Sequence, residues 1–133
     1  MTDRRPYKYD TPVTRSLGEF HRTGPRAAER RMDEFTNFDW DTVHLFGEGN
    51  SYRFIDDTIG TTVFGRDGRY SDNSGVLLIF THQGQVVHAV AFAGGYITGG
   101  AHTYPREDAV LRAYSMDPGP YQLEFVDEGG PTP

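Results

Sequence analysis

The sequence contains no cysteine. Disulfides, thiol catalysis and cysteine-ligated zinc are therefore excluded, and the lack of cysteine suits a reducing compartment. Long apolar runs are missing too. No window approaches the roughly 18 apolar residues of a membrane span, and the N-terminal stretch MTDRRPYKYDTPVTRSLGEF has no apolar segment of the signal-peptide kind. The expectation is a cytoplasmic chain with no membrane partner. Nor is there an excess of positive charge: 19 acidic and 13 basic residues leave a net charge of −6. That disfavours nucleic acid and anionic membranes, which are bound by basic faces. Motifs that would announce a cofactor or metal are absent, with no GxxxxGK[ST], no strand–GxGxxG–helix, and no HxH, HxxxH or HxxE. The chain is accordingly expected to need no cofactor and no metal.

What is present is 133 residues, enough for one domain that buries roughly 65–70% of its unfolded surface. Residues 1–13 are charged, carry Pro6 and Pro12, and read as a loose arm. Residues 14–128 read as a single globular domain, and the tail at 129–133, GPTP with its preceding glycine, as loose. Basic residues crowd the N-terminal part (Arg4, Arg5, Lys8, Arg15, Arg22, Arg26, Arg30, Arg31), and the remainder is acidic. A helix is expected from Pro25, with Ala28, Met32 and Phe35 as its apolar stripe and Asn37 at its end. Phe38–Phe46 reads as a strand. Ser51 caps a short helix through Ile59, with Gly60 as its left-handed terminator. Thr61–Gly65 reads as a short strand and Arg66–Gly75 as turn chemistry.

The strongest local signal is Val76–Ala93, VLLIFTHQGQVVHAVAFA. It reads as a β-hairpin turning at His82–Gln85. Five consecutive apolar residues, Val76–Phe80, imply a central strand buried on both faces. In the returning strand, alternation places Val86, His88, Val90 and Phe92 on one side and Val87, Ala89, Ala91 and Ala93 on the other. Gly94–Ala101 reads as a flexible loop, and Ala109–Tyr114 and Tyr121–Val126 as further strands. Helices early and strands late predict an α+β fold: one antiparallel β-sheet of about 4–6 strands with two helices packed on one face.

Two sets of residues are candidates for function. His44 and His88, on predicted strands, would meet if those strands were adjacent, with Asp39 and Asp41 at the strand entrance. They would line a small-molecule or catalytic pocket in which paired carboxylates do acid–base work. Trp40, between the two aspartates, reads as a core anchor. The second set is an acidic-aromatic surface suited to a basic protein partner such as a toxin or an enzyme. Its expected contacts are Tyr96 and Tyr104 in the glycine-rich Gly94–Tyr104 loop, together with Asp56, Asp57 and Tyr70. Tyrosine gives large contact area at low entropic cost.

In FDWDTVHLFGEG, FIDDTIG and GVLLIFTHQGQVVHAVAF, the chain resembles a group of small, mostly uncharacterised bacterial α+β proteins. They share an aromatic-x-Trp-Asp strand, a short helix and a Gly-turn hairpin. Several members of the group look like lipoproteins, a pattern from which this chain, with no apolar N-terminal stretch and no cysteine in its sequence, is expected to depart. Small acidic proteins of this kind are also similar to immunity proteins. That resemblance implies a non-enzymatic immunity or inhibitor protein that neutralises a partner protein.

Overall fold

The arrangement is given by a computed structural model that describes residues 6–9, 11–23, 28–71, 75–92, 97–98, 101–115 and 121–126. In chain order the elements begin with α1 (Pro12–Thr23), β1 (Glu29–Arg31), a 3₁₀ turn at Met32–Phe35, β2 (Thr42–Phe46) and α2 (Tyr52–Ile59). Next come β3 (Val76–His82), β4 (Gln85–Phe92), β5 (Ile97–Thr98), β6 (His102–Pro105), a 3₁₀ turn at Arg106–Asp108, β7 (Val110–Ser115) and β8 (Tyr121–Phe125). The class is α+β. In place of one sheet there are two four-stranded sheets, ordered β4-β3-β2-β6 and β1-β7-β8-β5. All neighbouring strands are antiparallel except β5 and β8, which are parallel.

The apolar run predicts a strand covered on both sides, and β3 is that strand. It pairs with β4 and β2, and Val76–Thr81 are all buried. Val76, Leu78 and Phe80 point into one core, and Leu77 and Ile79 into another. The first core is closed by α1, through Val13, Leu17 and Phe20, and by the second sheet, through Leu111, Ala113, Leu123 and Phe125. The second is closed by Ile55 and Ile59 of α2 and by Tyr7 and Tyr70. The two helices therefore lie on opposite faces of the first sheet, correcting the expectation of a shared face. A strand apolar at every position needs cover on each side.

Within the stretch expected to be a loose arm, Tyr7 and Val13 are buried. The Lys8 N–H donates to the Ala89 carbonyl at 3.0 Å, and the Ala91 N–H donates to the Lys8 carbonyl at 2.9 Å. The segment thus runs parallel along the outer edge of β4 and covers backbone groups that an edge strand leaves unpaired. Pro12 opens α1 at the first helical position, where a missing N–H costs nothing. Thr11 and Thr14 cap the helix reciprocally, each backbone N–H donating to the other's hydroxyl at 2.8 and 3.3 Å. Val13, Leu17 and Phe20 form its inward stripe at helical spacing.

The helix expected from Pro25 is not formed over its described part. Glu29–Arg31 pairs with β7, and a 3₁₀ turn follows. Met32 and Phe35 are still buried and Ala28 packs against the same core, but in extended and 3₁₀ backbone. The Phe38–Phe46 strand begins only at Thr42. Trp40, just before it, is buried and donates from its indole to the Thr36 hydroxyl at 3.0 Å.

α2 forms as its local chemistry predicts. The Ser51 hydroxyl accepts from the Phe54 N–H at 3.0 Å, and Gly60 terminates the helix at φ 88°. Thr61–Gly65 is not a strand. The N–H groups of Val63, Phe64 and Gly65 instead donate to the Asp56 carboxylate at 2.9–3.0 Å. One side chain supplies the acceptors that a neighbouring strand would have offered.

The hairpin turns through Gln83 and Gly84, both at positive φ (52° and 80°), as a two-residue primed turn requires. Beyond the turn lies a bulge: Thr81 faces Val86 while Phe80 faces His88, which leaves Val87 as an extra residue. The bulge corrects the alternation expected for β4. Val86 packs on the second core with Ala89 and Ala91, not on the side of Val90 and Phe92.

Candidate functional site

The two histidines are held by strands that flank β3. His44 faces Ile79 across the ladder, and His88 faces Phe80. Ile79 and Phe80 are neighbours on one strand and point to opposite faces, so the imidazoles lie on opposite sides of the sheet. The paired-histidine pocket is not formed. His88 sits on the first-core side, with ring centroids 4.8 Å from Phe38 and 6.2 Å from Phe80, and its buried Nε2 has no hydrogen-bond partner among the described residues. Asp39 and Asp41 are exposed. Asp41 accepts from the Gln83 N–H at 2.7 Å and from the Thr42 hydroxyl at 2.9 Å, so it braces the hairpin turn. No group of three or more His, Asp or Glu among the described residues could hold a metal ion.

His44 has partners that the sequence reading did not name. The residue is 7% exposed. Nδ1 lies 3.0 Å from the Thr103 hydroxyl on β6, and Nε2 lies 3.4 Å from the Thr81 hydroxyl on β3. The only hint in the sequence is Thr81, a polar residue directly after the apolar run.

Of the expected partner contacts, Tyr96 lies outside the described residues. Tyr104 is buried and stacks on Phe125 at 4.5 Å, inside the first core. The described parts of the Gly94–Tyr104 stretch form β5 and most of β6, so they are paired backbone. Tyr70 is fully buried, and its hydroxyl donates to the Val76 carbonyl at 3.4 Å. Asp56 is half-buried and committed to its loop. Among the described ones, only Asp57 is fully exposed. Tyr104 and Tyr70 are therefore core residues of this fold, whose bodies are packed away from any partner.

The surface around Asp57 has a definite relief. Arg53, Phe54, Asp57 and Thr58 form the outer side of α2. Phe54 is 43% exposed, and its ring meets buried Phe46 edge-on at 6.0 Å. Tyr52 stacks on Phe64 at 4.0 Å, and the Arg66 guanidinium lies over Tyr52 at 4.8 Å. Gly68 makes room for this stack, since a Cβ there would lie 2.7 Å from the Tyr52 ring. A shallow open depression of about 450 Å³ is lined by Asp56, Asp57, Gly60, Thr61 and Thr62. Glu48 and Asp67 are exposed near the ends of this region of the chain.

Searches of protein-family profiles, curated proteins and solved structures find no match to this chain. No helix among the described residues is long and apolar enough to cross a membrane.

Burial lowers the pKa of both histidines from the ordinary 6.5. The Asp41 charge partly offsets the effect at His44, and Lys8 reinforces it at His88. The unfolded chain therefore binds more protons than the folded one just below pH 6.5, and stability falls as the pH drops. The histidine contribution is complete above about 6.5 and is lost as the pH falls through the lowered native values. Carboxylates held low by hydrogen bonds and arginine partners, Asp33 and Glu34, are lost only in a separate and more acidic window. Thermal melts from pH 8 to 5 should be flat above neutrality and decline below about 6.5, with His88→Leu reducing the decline. A melting temperature unchanged between pH 7 and 5 would contradict the burial of these rings.

Proposed function

We propose that this chain is a small acidic, non-enzymatic binding protein of the immunity or inhibitor kind. It would neutralise a basic partner protein, a toxin or an enzyme, in the cytoplasm. The observation that carries this reading is Phe54. A large aromatic side chain is held 43% exposed on a helix capped at both ends, beside Asp57 and an open depression. Aromatic anchors of this kind dominate binding energy at interfaces, and the exposed Asp57 carboxylate beside this one offers a basic partner a charged contact. Ile55 and Ile59 lock α2 to the second core, so the surface is presented without a folding cost on binding. The contact set proposed is thus Phe54, Asp57, Thr61 and Thr62. It keeps only Asp57 from the residues expected at the outset.

The competing reading, a small enzyme or ligand carrier with a His44–His88–Asp39–Asp41 pocket, needs groups that the sheet separates. The test is to express the products of neighbouring genes and measure binding by calorimetry. One of them should bind, and Phe54→Ala and Asp57→Lys should each weaken it by about tenfold or more. Binding indifferent to both substitutions, or no binding by any of these products, would overturn the proposal.

A further inference from the structure

We propose that Thr103 is an acyl-acceptor site, its hydroxyl activated by His44 as general base toward an activated ester or thioester. This goes beyond the binding reading and does not rest on it. Three contacts define the arrangement: Thr103 Oγ1 to His44 Nδ1 at 3.0 Å, His44 Nε2 to Thr81 Oγ1 at 3.4 Å, and Thr81 Oγ1 to the Thr42 carbonyl at 3.5 Å. A carbonyl oxygen only accepts. All three contacts are satisfied together only if Thr81 donates to Thr42, Nε2–H donates to Thr81, and Nδ1 accepts from the Thr103 hydroxyl.

The ring is thereby held in the tautomer whose free lone pair faces Thr103, the relation a nucleophile bears to its base. Burial keeps the imidazole in its neutral, basic form. Thr81, 3% exposed, positions the ring, while Thr103 itself is exposed on β6, the last strand of its sheet. The His44 ring also lies parallel to buried Phe46 at 6.4 Å, which helps to hold it against Thr103.

In the step, Thr103 Oγ bonds to the carbonyl carbon as its proton passes to His44 Nδ1. The carbon–leaving-group bond then breaks, and the proton passes on to the departing alkoxide or thiolate. The product is one O-acyl threonine per chain, with no redox change.

The probe is p-nitrophenyl butyrate, with peptide mass spectrometry locating the added butyryl group on the whole chain. Addition is expected at Thr103. It should be retained in Thr103→Ser, lost in Thr103→Val, and slowed about a hundredfold in His44→Gln, the scale of general-base assistance. Wild type unfolded in urea guards against a His44→Gln variant that fails to fold, and it too should lose labelling at Thr103. Butyryl groups found only on Lys8, the amino terminus or histidines would overturn the proposal. So would labelling of Thr103 equally fast in urea or in folded His44→Gln, or no addition at all.

Discussion

Phe80→Ala is expected to destabilise the fold by about 3–5 kcal/mol, a large share of the roughly 5–15 kcal/mol that holds a domain of this size together. Phe80 is fully buried on the central strand. Its ring meets Trp40 at 5.1 Å and Phe38 at 5.3 Å, both edge-on, and His88 at 6.2 Å. Removing it strips one side of all three contacts and opens a cavity in the first core. Leu78→Ala, on the same face, belongs to the same class of effect. Val87→Ala is the control: Val87 is the bulge residue, 44% exposed, and its loss should change stability by no more than about 0.5 kcal/mol. Denaturant unfolding of the three variants checks this. Losses under about 1 kcal/mol for both Phe80→Ala and Leu78→Ala would contradict the two-faced burial of β3.

The second large effect is expected from a residue in the segment that reads as a loose arm. Tyr7 is 7% exposed. It meets Tyr70 at 5.6 Å and Tyr9 at 5.8 Å, both edge-on, and Phe64 at 6.3 Å. Tyr7→Ala should cost about 3 kcal/mol, toward the lower end for a large aromatic, since the strap it anchors is peripheral. The loss has a local signature. The Ala91 amide donates to the Lys8 carbonyl, so its hydrogen exchange should speed up well beyond that of the β3 amides as the strap detaches. If Tyr7→Ala leaves both stability and Ala91 exchange unchanged, the strap is not part of the fold.

Features set by adjacent residues were legible in the sequence. Ser51 and Gly60 bound α2 because capping needs only local geometry, and Gln83-Gly84 turns the hairpin because a primed turn needs two residues at positive φ. The continuous apolarity of Val76–Phe80 announced a central strand. Features set by distant partners were not legible. Pro12 reads as a breaker unless the stripe of Val13, Leu17 and Phe20 behind it is weighed. Glu29–Arg31 is extended because β7 offers it a ladder, which nothing in its own neighbourhood reveals.

The candidate site suffered from the same limit. Alternation tells which residues share a face within a strand, but not how the faces of β2 and β4 relate across β3, where the bulge at Val87 also intervenes. The sequence alone therefore allows His44 and His88 to meet, whereas the fold sets them on opposite faces. Tyr70 and Tyr104 carry polar tips that suit a surface, yet their rings fill cores. Nothing in the sequence marks Phe54 as exposed; its exposure follows only from where Ile55 and Ile59 must point.

The separation of His44 and His88 by the central strand is the claim on which the choice between a binding surface and a polar pocket turns. Histidine proton NMR titration tests it most directly, in wild type and in the His44→Gln and His88→Leu variants. Each ring should titrate as an independent site below 6.5, and removal of one should leave the curve of the other in place. A displacement of about one pH unit or more in the remaining ring would show that the two share a site, and would contradict the fold described above.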